Sequence, residues 1–184
     1  MLERTPHIRF YDLAIMFFYP VDWLCDIGQG IICVKEHMEM CWRMDEHELM
    51  QYAMSNLRKQ NYTLKKLEEV MEMCGVDVPD NIKTPLYLLT VYGGIYGAAA
   101  MLNTEFMKKA SEEMESSKLW IIPSSLHEVL LLPYQYKEDA DPLHQICAEV
   151  HLTLEQEDVL TDTIYLYDNE TEQIAVAKEA EHNG

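Results

Sequence analysis

Side chains of the kinds that form a hydrolytic triad lie close together in one short segment of the sequence. Ser124 and Ser125 offer hydroxyl groups as nucleophiles, His127 offers a base, and Glu128 offers an acid. Nucleophilic catalysis needs the nucleophile within about 3 Å of its base, and an acid that orients the base. Neighbours in a strand point to opposite faces, so we expect His127 and Glu128 to point apart and the serines to bond to turn backbone. We therefore assign no catalytic residue, and these four are the candidates.

Cysteine and histidine also repeat at a spacing that suggests a metal site. Cys33, His37 and Cys41 recur every four residues, in a segment whose apolar and polar residues alternate. On a strand, four residues span about 13 Å, so these side chains would point the same way without meeting around one ion. Tetrahedral zinc would also need a fourth ligand. We therefore expect no metal. We also expect no cofactor, because the glycines at 93, 94 and 97 are not followed by the lysine of a phosphate-binding loop.

The cysteines predict a reducing compartment. They number five, their spacing is irregular, and no Cys-x-x-Cys pair occurs. Disulfide frameworks are typical of smaller secreted chains with a higher density of cysteine, so we expect free thiols in the cytoplasm.

The start of the chain has no long apolar run behind a basic segment, which predicts no signal peptide. The longest apolar run, 13–19, is far shorter than the about 20 residues of a membrane-spanning helix.

The charge of the chain narrows the classes of partner. Of its 184 residues, 14 are basic and 32 acidic, which gives a formal net charge of −18. From Glu138 to the end there are 13 acids and one base, Lys178. Such a charge repels the phosphates of nucleic acids and anionic lipids, so we expect neither nucleic acid nor membrane as a partner. A solvated, solubilising face explains the excess, and an acidic mimic of DNA is an alternative.

The apolar pattern predicts an α+β protein with a mainly antiparallel sheet. Strands are predicted at 8–21, 32–44, 86–91, 95–102, 119–122, 129–132, 163–167 and 173–176. Helices are predicted from Asp45 (with Glu48 completing a capping box), from Thr63 to Gly75, from Asn103 or Thr104, from Asp141 to Val150, and briefly at 154–160. Short turns between strands require antiparallel pairing, so strand–strand–helix units form the sheet and the helices pack on it.

The segment 119–132 is predicted to form the centre of this sheet. Both of its strands are dense in branched and leucine side chains on both faces, as strands covered on two sides must be. Pro123 cannot donate a ladder hydrogen bond and ends the first strand, and Ser124 and Ser125 lie in the turn. His127 and Glu128 are expected to begin the return strand.

We expect a single domain over 1–177. A division into two lobes would fall in the connector 76–85, which holds two prolines, and the polar tail 178–184 is expected to fray.

Several segments occur in the order typical of one protein family. They are Gly-Ala-Ala-Ala-Met-Leu at 97–102, the run 121–133 around Pro123-Ser124-Ser125, the run 159–168, and Tyr-Asp-Leu-Ala at 11–14. On these segments the chain resembles an uncharacterised family of gut Clostridia and their relatives, catalogued as domain of unknown function 5688. The resemblance implies a bacterial cytoplasmic protein in a mobile-element or accessory setting, and it implies no reaction. Members usually extend further upstream of the first strand, which predicts a short or truncated member.

The function expected by elimination is that of a non-enzymatic cytoplasmic protein that binds another protein, which includes a second copy of itself. The alternative is a small hydrolase that uses residues 124–128, and a further alternative is the DNA mimic. A groove with convergent ionisable groups would favour the enzyme, whereas an exposed apolar patch would favour the binding protein.

Overall fold

A computed structural model describes residues 4–22, 29–75, 86–91, 93–134 and 141–177. The chain divides into two compact units, an N-terminal unit of residues 1–59 and a C-terminal unit of residues 60–184. This division falls between Lys59 and Gln60. The predicted boundary at 76–85 and the predicted tail at 178–184 both lie outside the described residues.

The N-terminal unit consists of two antiparallel strand pairs followed by two helices. Strands β1 and β2 pair in one two-stranded sheet, and β3 and β4 pair in another. The elements are β1 (His7–Phe10), β2 (Leu13–Met16), β3 (Phe18–Asp22), β4 (Gln29–Cys33), α1 (Glu36–Trp42) and α2 (Glu46–Leu57). Its buried cluster consists of Phe17, Val34 and Leu49, and partly buried side chains such as Ile8 and Met38 pack against it.

Two strand predictions in this unit are wrong. The predicted strand 8–21 consists of three strands, β1, β2 and β3. Tyr11 adopts a left-handed conformation (φ 55°), which turns β1 back into β2. The predicted strand 32–44 ends at Cys33, and the helix α1 follows. Methionine and glutamate favour helices, and no residue of α1 is buried, so the alternation of side chains there did not mark a sheet face.

Helix α2 begins as predicted. The Asp45 carboxylate accepts the backbone N–H of Glu48 at 2.9 Å, and the Glu48 side chain accepts the backbone N–H of Asp45 at 3.1 Å. This capping box satisfies two donors that would otherwise have no partner inside the helix.

The C-terminal unit is built on a six-stranded antiparallel sheet of order β10-β9-β7-β8-β6-β5. The elements are β5 (Tyr62–Lys66), α3 (Leu67–Met73), β6 (Tyr87–Val91), a 3₁₀ helix (Gly97–Leu102), α4 (Thr104–Glu113), β7 (Lys118–Ile122), β8 (Val129–Pro133), α5 (Asp141–His151), β9 (Tyr165–Asp168) and β10 (Gln173–Val176). The predicted α+β class with an antiparallel sheet is confirmed.

Strands β7 and β8 occupy the centre of the sheet, as predicted. Their register pairs Ile121 with Leu131, and both side chains are fully buried. A second layer covers one face, where Leu143 and Cys147 of α5 join Trp120 in a buried cluster. The chain leaves β7 at Pro123, as predicted, but β8 begins at Val129, so the prediction that His127 and Glu128 start the return strand is wrong.

Three other predictions in this unit are wrong. Residues 62–66 form β5, so the helix predicted from Thr63 begins only at Leu67. Residues 97–102 form a 3₁₀ helix and not a strand, and its first residue, Gly97, lies where a Cβ would collide with Thr90 Oγ1 and the backbone oxygen of His127. Residues 154–160 form turns and a single bridge between Ser125 and Val159, without the predicted short helix.

Candidate functional site

The Ser125 hydroxyl makes three hydrogen bonds in the bend between β7 and β8. Its Oγ accepts the backbone N–H groups of His127 at 3.0 Å and Glu128 at 3.3 Å. The same hydroxyl donates to Glu128 Oε1 at 2.6 Å. The hydroxyl and the carboxylate therefore fix the bend, as side chains of this type do in turns and helix caps.

The His127 ring makes its contacts away from the serines. Nδ1 accepts the backbone N–H of Tyr96 at 3.3 Å, which leaves the ring proton on Nε2, 3.5 Å from Asp158 Oδ1. The ring also stacks on Tyr96, with the centroids 5.9 Å apart. The bend thus brings the four sequence candidates together, but it gives the Ser125 hydroxyl to Glu128 and both ring nitrogens of His127 to other groups.

Ser124, like Ser125, is enclosed by protein. It is fully buried, and its Oγ has no hydrogen-bond partner among the described residues. A nucleophile must reach a substrate, and this hydroxyl is surrounded by protein.

A thiol, an imidazole and a carboxylate meet at the end of α5. Cys147 Sγ lies 3.6 Å from His151 Nε2, and His151 Nδ1 lies 3.0 Å from Asp162 Oδ1. The backbone oxygen of Thr161 is 3.7 Å from the same sulfur. Among the described residues, these three side chains are the one group of His, Cys, Asp or Glu that could hold a metal ion, with ligand atoms within 4.8 Å of one another.

The environment of Cys147 makes its thiol a poor nucleophile. Only 1% of the residue is exposed. Burial raises the pKa of Cys147 to about 11, and the Asp162 carboxylate adds to the rise. Because the thiolate is the reactive form, a thiol protonated at neutral pH does not attack a substrate. The order thiol, imidazole, carboxylate resembles a catalytic triad in geometry without its reactivity.

The N-terminal unit carries an apolar groove of about 450 Å³. Aromatic side chains dominate its wall, and Tyr19 and Trp42 lie with ring centroids 5.9 Å apart. The lining residues are Phe17, Phe18, Tyr19, Val34, Trp42, Met44, Leu49, Tyr52, Ala53 and Asn56. Tyr52 is 60% exposed, Tyr19 51% and Trp42 40%, so these three aromatic residues of the groove are open to solvent, whereas Phe17 is buried.

Four acidic residues, Glu36, Glu39, Asp45 and Glu46, lie near the groove residues Trp42 and Met44 along the chain. Burial raises the pKa of Glu39, and the neighbouring Glu46, Glu36 and Asp45 carboxylates raise it further. Glu39 Oε1 is buried and has no hydrogen-bond partner among the described residues. The groove residues Trp42 and Met44 fall between these acids along the chain.

The family model described as a family of unknown function (DUF5688) matches residues 1–169. The chain belongs to this family. The match includes the groove, the bend and the Cys147 cluster. No curated protein and no solved structure matches the chain.

Among the described residues, no helix combines the length and the apolar character needed to cross a membrane.

The Cys147 cluster was not predicted from the sequence, in which the residues considered as metal ligands were Cys33, His37 and Cys41. His37 and Cys41 lie one turn apart on α1, and Cys33 ends β4. The signal for the other cluster was the four-residue spacing of Cys147, in the predicted helix 141–150, and His151, which directly follows that helix. On a helix this spacing puts both side chains on one face. Asp162 comes from a loop beyond that helix, and no spacing rule connects it to them.

Proposed function

We propose that this member of the family is a non-enzymatic protein that binds a partner protein through the apolar groove of its N-terminal unit. The observation that carries the proposal is the exposure of three aromatic residues, Tyr19, Trp42 and Tyr52, around one concave apolar surface. Exposed apolar patches that are large and rimmed by polar residues mark protein interaction sites. Buried aromatic residues supply most of the binding energy at such interfaces.

The partner that fits is a segment with apolar anchor residues flanked by basic ones. The groove supplies a cavity for the anchors, and the acidic residues Glu36, Glu39 and Glu46, which lie near the groove residues Trp42 and Met44 along the chain, supply the opposite charge. Charge complementarity of this kind selects partners and speeds association more than it raises affinity. We propose a cytoplasmic setting, which the free thiols Cys33, Cys41, Cys74 and Cys147 support.

The proposal is tested with two fluorescently labelled amphipathic peptides of one pattern, one of leucine and lysine and one of leucine and glutamate. Fluorescence anisotropy with the full chain should show binding of the lysine peptide and none of the glutamate peptide. Tyr52→Ala removes an aromatic anchor surface, and Ala53→Arg places a cation in the groove. Each should weaken binding about tenfold or more, as expected when an anchor contact worth about 1.4 kcal/mol is lost.

Met40→Ala is the matched control. Met40 is 79% exposed in the same unit and is not among the groove residues. Binding of the lysine peptide should be the same in this variant as in the parent. Equal loss in Met40→Ala and Tyr52→Ala, or equal binding of both peptides, would show that the groove does not select this chemistry.

A further inference from the structure

We propose that Cys147, His151 and Asp162 form a binding site for a thiophilic divalent cation of the zinc class. The site belongs to the C-terminal unit and is independent of the groove proposed above. Sulfur, imidazole nitrogen and carboxylate oxygen are the three kinds of ligand that zinc takes from proteins. The three ligand atoms already lie within 4.8 Å of one another.

The distance between the sulfur and the imidazole nitrogen fits a tetrahedral ion. Zinc bonds of about 2.3 Å to sulfur and about 2.0–2.1 Å to nitrogen place two tetrahedral ligands about 3.6 Å apart. Cys147 Sγ and His151 Nε2 are separated by 3.6 Å. An ion can therefore bind between these two atoms without a shift of α5, and the thiol gives up its proton to solvent as the sulfur–metal bond forms.

Asp162 completes the site from the solvent side. Its side chain is 85% exposed, so its carboxylate can turn from His151 Nδ1 toward the ion, whereas the His151 side chain is 13% exposed and is held in place. Before an ion binds, the carboxylate accepts the Nδ1 proton of His151 and so fixes the ring with the Nε2 lone pair directed at Cys147. The exposed side leaves the fourth position to water.

The site differs from the other histidine–carboxylate pair of this unit. His127 Nε2 lies 3.5 Å from Asp158 Oδ1, but none of the described cysteines joins that pair. A hard carboxylate and a single imidazole without sulfur are weaker ligands for a thiophilic ion. Asp158→Asn is therefore the matched control for Asp162→Asn.

The experiment measures zinc and cobalt binding to the full chain. Zinc affinity is measured by competition with a chromogenic chelator, and we expect one equivalent per chain. Asp162→Asn and His151→Gln should each weaken zinc binding about tenfold or more, the usual effect of losing a ligand or its outer partner, and Asp158→Asn should leave it unchanged. Asp162 is exposed, so its asparagine variant keeps the fold and can be compared directly.

Cobalt identifies the sulfur. A chain in which Cys25, Cys33, Cys41 and Cys74 are serine keeps only Cys147, and with Co²⁺ it should show the near-ultraviolet charge-transfer band of a thiolate ligand. Absence of that band overturns the proposal, because any cobalt bound would then rest on surface carboxylates. Zinc affinity that is unchanged in both Asp162→Asn and His151→Gln overturns it as well.

Discussion

The two units of the protein differ in what they do with their apolar side chains. In the C-terminal unit, the central strands β7 and β8 are buried along almost their whole length, and α5 covers one face of the sheet. Among the described residues of the N-terminal unit, the buried cluster consists of Phe17, Val34 and Leu49, and aromatic rings remain exposed around a groove. A unit of 59 residues buries a smaller fraction of its surface than one of 125 residues. Size alone, however, does not gather the exposed rings around one cavity.

We expect substitutions in the two units to have different effects. The dense sheet of the C-terminal unit holds its own residues in place, so substitutions there should act mainly on the stability of the fold. The open groove of the N-terminal unit should tolerate substitutions at its exposed rings, with loss of binding as the main effect.

Leu130→Ala should cost about 2–5 kcal/mol of unfolding free energy, because truncating a buried leucine leaves a cavity in the core. Leu130 is 3% exposed and belongs to the cluster that α5 covers. Tyr52→Ala in the groove should change the same quantity by less than about 0.5 kcal/mol. Chemical denaturation of the two variants and the parent measures both values. A loss in Tyr52→Ala as large as that in Leu130→Ala would erase the distinction between the units.

A control in the C-terminal unit separates burial from residue type. Leu152 is 87% exposed, directly after α5. Leu152→Ala should leave the unfolding free energy within about 0.5 kcal/mol of the parent, since exposed apolar side chains contribute little.

Asp45→Ala should destabilise α2 by about 1 kcal/mol, since it removes the acceptor that caps the helix. Helix α2 supplies Leu49, Tyr52, Ala53 and Asn56 to the groove, so the same substitution should also weaken peptide binding. Hydrogen exchange of α2 and peptide anisotropy measure the two effects. Asp45→Asn keeps a capping oxygen, so its helix stability and peptide binding should stay close to those of the parent. Equal losses in Asp45→Asn and Asp45→Ala would show that the charge of Asp45, and not its capping hydrogen bond, causes the effect.

The smallest expected effect is the pH dependence of one ion pair at the edge of β7. Lys118 Nζ lies 2.9 Å from Asp168 Oδ2. This hydrogen bond lowers the pKa of Asp168 below its usual 3.8 and raises the pKa of Lys118 above its usual 10.5. The carboxylate therefore stabilises the fold above pH 3.8, and its contribution disappears as the pH falls through the lowered pKa. The ammonium group contributes below pH 10.5, and its contribution disappears as the pH rises through the raised pKa.

Asp168→Asn should consequently be slightly less stable than the parent at neutral pH and equal to it in strong acid. The difference should also shrink in high salt, because the pair is partly exposed. Denaturation curves at several pH values measure it. A difference that grows as the pH falls would contradict the assigned direction of the pKa of Asp168.

The sequence predicts the elements whose signals are local. Asp45 and Glu48 are spaced as a capping box, and α2 begins there. The apolar runs around Pro123 predict the two central strands, because a strand covered on both faces needs apolar residues at consecutive positions. The last hairpin, β9 and β10, is likewise marked by a polar turn between two apolar runs.

Other features depend on contacts that spacing does not show. Alternating methionines predict a strand where α1 forms, because this short helix buries no residue and carries only Met38 and Trp42 at helical spacing. The small residues at 97–102 predict a strand, although the close approach of Gly97 to Thr90 and to the backbone of His127 requires a glycine in a tight 3₁₀ turn. The groove was not predicted at all, because exposure of an aromatic ring depends on what the rest of the chain covers.

The most direct test of the central claim is hydrogen exchange, read by mass spectrometry, of the full chain with and without the leucine–lysine peptide. We predict slower exchange in residues 42–57, which contain α2 and most of the groove residues, and no change in residues 118–133 of the central strands. Protection confined to residues 118–133, or the same protection with the leucine–glutamate peptide, would contradict a selective binding groove in the N-terminal unit.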